Sequence, residues 1–221
     1  MCKMKTKIAI WCCAVTWISL SVISCQKQSN EESSRLDEAF ESVIADTPRD
    51  SQADGVRNTS FIAKTGERIQ RLELLVEASL QEVWDAFTTE EGIRAWQVPV
   101  VQLDFRIGGT QKSIYNKDAQ VGNEGTITND IVSILPMELL VYHVNLTEAL
   151  PEKARNEDEN LQYILQFEEW EKGRVTIVFS MFGWGEGKEW TEIYDKFEAG
   201  NRWTFEQLIR RFTEGPVDWN K

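Results

Sequence analysis

His143, in the segment VYHVN, is the chain's single histidine and its one side chain that ordinarily titrates near neutral pH. Strand alternation gives it a face shared with Val141 and Asn145, and a lone histidine there is more often packed or solvated than a base. A thiol nucleophile is no better supplied. The four cysteines are Cys2, Cys12, Cys13 and Cys25, all near the N-terminus. Glu168 and Glu169 adjoin on a strand and so point to opposite faces, which prevents them from acting on one substrate. The GWGEG run at 183–187 lacks the lysine spacing of a phosphate loop and reads as a turn between a strand and a helix. No HExxH, GxSxG or dinucleotide fingerprint occurs, and no acidic cluster has calcium-loop spacing. No catalytic residue, metal site or cofactor is therefore assigned, and the balance favours binding over catalysis.

Cys25 is the exception. Lys3, Lys5 and Lys7 precede an uncharged, mostly apolar run of 16 residues from Ile8 to Ile23. That run suits a signal-peptide core and is short for a membrane span, which needs about 20 residues. It ends in SVISC, which resembles the lipobox of bacterial lipoproteins. The resemblance implies removal of residues 1–24, lipidation of Cys25 and attachment to the cell envelope. Gln26 after the cysteine points to the outer membrane. An ordinary signal peptide or an uncleaved anchor are the alternatives. With residues 1–24 removed, Cys25 is the one remaining thiol, so no intrachain disulfide can form. The remainder carries 21 basic and 36 acidic residues, a net charge near −15. Such a surface repels phosphate backbones, and no nucleic-acid partner is expected.

The residues best suited to a ligand lie near the C-terminus. Trp190, Ile193, Tyr194, Phe197, Thr204, Phe205, Leu208 and Phe212 form an apolar stripe at helical spacing from about Lys188 to Phe212. Gly200 and Asn201 interrupt it, although a Gly in a helix interior costs about 0.8–1 kcal/mol relative to Ala. If both face a sheet, the gap leaves a cavity with an amide at its wall. A kinked helix, or close packing of the glycine against a strand, would explain the same residues. The aromatic residues, Tyr142 and Tyr163 among them, would line such a pocket or simply make the core.

Other elements must position that helix. Residues 25–66 are polar and read as a tether, with a short helix near 35–45 where Leu36, Ala39, Phe40, Val43 and Ile44 have helical spacing. A domain at 67–214 and a tail at 215–221 follow. RLELLVE, LQYILQFEEW and RVTIVFSMF alternate like antiparallel strands with one wet face, and EKG at 171–173 joins the last two as a hairpin. FRIGGTQKSIYN, GTITNDIVSILP and ELLVYHVNL read as further strands, with RIGG as a bend. Ser79 with Glu82 forms a capping box before Val83, Trp84 and Phe87, and Thr88 and Thr89 offer a second cap. The charged segment 147–160 reads as an exposed loop.

The order of these elements carries a likeness. VEASLQEVWDAFTTEEGIRAWQVPVVQLDFRIGGTQKSIY, with Trp96 followed by Pro99 and the DFRIGG strand, resembles the opening of the SRPBCC (START-like, Bet v 1-like) superfamily. It is most similar to the group named after the activator of heat-shock protein 90 ATPase homologue. The resemblance covers nearly all of 67–214. It implies an α+β helix-grip fold, a curved antiparallel sheet of about six strands around a long C-terminal helix, with two short helices after the first strand. It also implies a cavity for a small hydrophobic ligand. The pocket-wall candidates are Trp96, Phe105, Phe179, Phe197, Gly200 and Asn201. An interaction module binding an envelope protein, or a cyclase or dehydratase with His143 in the cavity, are the other functions such a domain would serve.

Overall fold

The computed structural model describes residues 55–220. The expected leader, Cys25, the short helix at 35–45 and the tether as far as residue 54 lie outside the described residues.

Among the described residues, nine antiparallel strands form one sheet in the order β1-β3-β9-β8-β7-β6-β5-β4, with β2 also paired to β3. They are β1 (Arg57–Asn58), β2 (Phe61–Ile62), β3 (Arg68–Val76), β4 (Val100–Leu103), β5 (Thr110–Ile114), β6 (Ile127–Leu135), β7 (Leu139–Asn145), β8 (Gln162–Glu171) and β9 (Arg174–Phe182). Two short helices, α1 (Leu80–Thr88) and α2 (Glu90–Arg94), follow β3. A one-turn helix α3 (Glu152–Arg155) lies between β7 and β8, and the long α4 (Lys188–Glu214) ends the domain. This is the helix-grip fold.

Alternation decides which face is wet. Leu72, Leu74 and Val76 of β3 are buried beside Val175, Ile177, Phe179 and Met181 of β9. Their inward face receives Trp190, Ile193, Phe205 and Leu208 of α4 in one core. Fully burying a side chain of this size contributes about 1.5–3 kcal/mol, so the stripe clamps the helix to the sheet. The capping box is present, with Ser79 Oγ accepting from the Glu82 amide and Glu82 accepting from the Ser79 amide. Thr89 closes α1 and opens α2, donating from Oγ1 to Asp85 O at 2.8 Å and accepting from the Gly92 amide at 2.9 Å.

Several expectations change. Residues 57–62, placed in the tether, instead add two short strands to β3, with Arg57 opposite Glu73 and Phe61 opposite Ile69. The sheet therefore has nine strands rather than about six. FRIGG belongs to no strand: residues 104–109 make the bend between β4 and β5. The 147–160 segment is not a bare loop. Ala154 is fully buried, and Glu157 accepts from Trp190 Nε1 at 3.0 Å. Its charges are outward, while its few apolar residues hold it to the core. The tail also docks, since Val217 N donates to Ala95 O at 2.9 Å and Trp219 Nε1 to Arg94 O at 2.7 Å. Finally, α4 runs unbroken through Gly200 and Asn201.

Candidate functional site

The inner face of the sheet and the second half of α4 enclose a cavity of about 490 Å³. Six rings form an arc along it. Tyr142 stacks on Tyr163 with centroids 4.8 Å apart, Tyr163 meets Phe179 at 5.6 Å, and Phe179 meets Phe205 at 5.2 Å. Phe205 stacks on Trp96 at 6.2 Å, and Trp96 meets Phe87 edge-on at 5.1 Å. The arc crosses from sheet to helix to the α1–α2 corner. Trp96 is fixed there because its Nε1 donates to Ala86 O at 2.9 Å.

The opposite wall is polar. Gln111 and Ser113 point inward from β5, Asn129 points inward from β6, and Gln97 follows α2. Gln111 faces Asn129 across the ladder, and its Nε2 donates to Gln97 Oε1 at 3.3 Å. Asn129 is 7% exposed, and among the described residues its Oδ1 has no partner. At the mouth, exposed Tyr115 and Trp203 approach at 6.5 Å beside Lys196 and Gly200. Lys196 is the one charged residue among those lining the cavity.

Burial raises the phenols of Tyr142 and Tyr163 well above the ordinary tyrosine range, and for Tyr163 the neighbouring Tyr142 adds to the shift. Neither hydroxyl makes a hydrogen bond among the described residues. Both phenols stay neutral at physiological pH and lie on the cavity wall.

Of the candidate residues, Trp96, Phe179, Phe197, Gly200 and Asn201 line the cavity and Phe105 does not. Phe105 lies in the FRIGG bend rather than in a strand and packs edge-on against Trp84 at 6.2 Å. Gly200 is exposed at the mouth, and a Cβ built there meets nothing within 4 Å. It does not face the sheet, as was expected of both helix residues. Asn201 does face it, donating from Nδ2 to Gln70 Oε1 of β3 at 2.9 Å. His143 lies on the opposite face of β7, with Nε2 3.0 Å from Asp158 O and Nδ1 3.5 Å from Asp130 Oδ2. The cyclase or dehydratase reading required this ring inside the cavity. Among the described residues, no group of three His, Cys, Asp or Glu side chains could hold a metal ion.

The polar wall went unread in the sequence, although the signal was there. TQKSI and ITNDI alternate with Gln111, Ser113 and Asn129 at inward positions, where a packed core would place aliphatic residues.

A family model described as Activator of Hsp90 ATPase homolog 1-like protein matches residues 77–213. The chain belongs to this family. Solved structures share its fold at low identity. The Aha1 dimer from Colwellia psychrerythraea matches with a TM-score of 0.51 at 16% identity, covering 66% of this chain and 97% of that one. A conserved protein of unknown function from Enterococcus faecalis matches at 0.53 and 14%, covering 74% and 84%. CalU16 from Micromonospora echinospora matches at 0.51 and 18%, covering 75% and 78%. No curated protein matches. At these identities the structural likeness establishes the fold of this Hsp90-ATPase-activator-like chain, and its ligand has to be argued from the cavity.

Proposed function

We propose that this Hsp90-ATPase-activator-like protein is a lipid-anchored envelope protein whose domain binds a small, mostly apolar ligand without transforming it. The observation that carries the reading is the cavity of about 490 Å³ walled by an arc of six rings and a short polar wall. Its size and its mixture of apolar surface with a few placed polar groups are those of a small-molecule site. An interaction module would sooner fill this space with side chains and put its apolar surface outside. The anchor is supported by the basic start, the 16-residue apolar run and the SVISC sequence ending at Cys25. Two or three acyl chains on that cysteine would hold the protein stably, where one would hold it weakly. Gln26 supports an outer-membrane destination. Among the described residues no helix is long and apolar enough to cross a membrane.

Native mass spectrometry on the full-length protein, purified from the cells that make it, tests the ligand. A discrete added mass is expected, and it should be lost in Gly200→Trp, whose indole would cover the mouth. A bare protein that also takes up no aromatic probe would overturn the reading in favour of an envelope protein partner. Metabolic labelling with a clickable fatty acid tests the anchor: label should enter the native chain and be absent from Cys25→Ser.

A further inference from the structure

The polar wall of the cavity is built in a way that no packing argument accounts for. Asn129 is the third residue of β6, opposite Gln111 on one side and Val144 on the other. It is 7% exposed, and its Oδ1 has been taken out of water. Among the described residues neither Oδ1 nor Nδ2 has a partner. A buried polar group left unpaired is destabilising. Val144 shows that an aliphatic side chain fits at the neighbouring inward position of β7, and a hydrocarbon at 129 would avoid the cost. Ser113, two residues from Gln111 on the same face of β5, likewise makes no side-chain hydrogen bond among the described residues. A carboxamide offers two donors and an acceptor, and turned either way it presents both kinds of group. Among the described residues that line the cavity, Lys196 is the one charged side chain, and it lies at the mouth on α4. An ionised head placed at Asn129 would be buried without a counter-charge, at a cost far above that of a neutral one.

Resting on the ligand-binding reading, we propose that Asn129 is the specificity-determining residue of the cavity. Its ligand is a neutral, flat, largely apolar molecule bearing one group that both donates and accepts a hydrogen bond, such as a carboxamide or lactam. That head pairs with the Asn129 carboxamide, with Ser113 and Gln111 beside it. The apolar body lies along the arc from Tyr163 through Phe179 to Phe205, where ring faces and edges favour a planar partner. The two tyrosine hydroxyls, also without partners, give the far side of the ligand a weaker polar contact.

Three probes of one shape separate the terms: 2-naphthamide, 2-methylnaphthalene and 2-naphthoate, titrated calorimetrically into the full-length protein and into Asn129→Leu. The native protein should bind the amide about tenfold more tightly than the hydrocarbon, and the carboxylate least. In Asn129→Leu the amide and the hydrocarbon should bind equally. If the leucine variant does not fold, the native protein still decides the matter. Its Asn129 side-chain amide resonances should move on adding 2-naphthamide and stay in place on adding 2-methylnaphthalene. Equal affinities for all three probes would overturn the neutral donor–acceptor head while leaving the ligand-binding reading standing. The tightest binding by 2-naphthoate would overturn it in favour of a charge held by Lys196. A preference for the amide that survives Asn129→Leu, or Asn129 resonances that ignore the amide, would overturn the assignment to Asn129. Uptake of none of the three would overturn this proposal and the ligand-binding reading together.

Discussion

Asn201 Nδ2 donates to Gln70 Oε1 at 2.9 Å, tying the middle of α4 to β3 across 131 residues of sequence. Gln70 is fully buried, and among the described residues its Nε2 has no partner. Asn201 also approaches Met181 Sδ at 3.8 Å. The polar residue in the apolar stripe thus answers a polar residue in the sheet, and the two must be judged together.

Removing one partner should cost more than removing both. Asn201→Leu leaves Gln70 Oε1 buried and unpaired, and should cost about 1–3 kcal/mol in chemical denaturation. The double variant Gln70→Leu with Asn201→Leu should recover part of that loss, giving a coupling energy of about 0.5–3 kcal/mol. Additive single losses would show that the 2.9 Å contact contributes nothing of its own.

Two Gly→Ala substitutions at the ends of this region should have opposite signs. At Gly200 a Cβ meets nothing within 4 Å, so alanine relieves the entropic cost of glycine and should stabilise by about 0.5–1 kcal/mol. At Gly185 the same Cβ would fall 2.1 Å from Trp190 Nε1, and Trp190 is buried and bonded to Glu157. Gly185→Ala should therefore destabilise by about 1–3 kcal/mol, the usual cost of overpacking. Thermal midpoints measure both, and a rise for Gly185→Ala would mean that the turn can move off the indole.

These two glycines also show what the sequence made legible. GWGEG could be assigned to a turn because it joins an alternating strand to a helical stripe. Its packing against Trp190 depends on the 147–160 segment, whose charge hid its anchoring residues Ala154 and Glu157. Alternation in β3, β8 and β9 and the capping box at Ser79 are local patterns, and they specified most of the fold. The faces of Gly200 and Asn201 were harder, because adjacent helix positions differ by about 100° and only one of them can meet the sheet. Phe105 was misplaced for a similar reason: a bend reverses which residues point inward, and alternation cannot be carried through it. The polar wall failed differently. Gln111, Ser113 and Asn129 occupy inward positions by simple alternation, but polar residues in a strand read as its wet face until the other strands fix which face is inside.

The capping box predicts an acid-side effect. The Ser79 side chain, then the Ser79 amide, hydrogen-bond the Glu82 carboxylate and hold its pKa below the ordinary glutamate range. A depressed carboxyl contributes stability that is present above the unfolded-state pKa, about 4.3. It is lost as pH falls through the folded-state value. Ser79→Ala should lower stability at neutral pH by about 1 kcal/mol. It should also flatten part of the decline between about pH 5 and pH 3, because Glu82 loses the larger of the two hydrogen bonds that depress it and keeps the one from the residue 79 amide. Urea midpoints across that range test this, and an unchanged acid slope would place the acid sensitivity elsewhere.

The stacked phenols predict the alkaline counterpart. Burial raises Tyr142, and burial with the neighbouring Tyr142 raises Tyr163, so both ionise at higher pH in the folded protein than in the unfolded chain. Above about pH 10 the unfolded chain loses these protons first. Stability is then fully present below that value and falls as pH rises towards the folded-state pKa values. Tyr142→Phe with Tyr163→Phe should leave the thermal midpoint nearly unchanged at neutral pH, since neither hydroxyl is hydrogen-bonded among the described residues. The double variant should decline less steeply than the native protein above about pH 10. Equal slopes would mean that water reaches the hydroxyls freely enough to let them ionise as exposed phenols do. The aromatic arc would then be a wet wall, and a flat apolar ligand would have to displace ordered water from it before stacking.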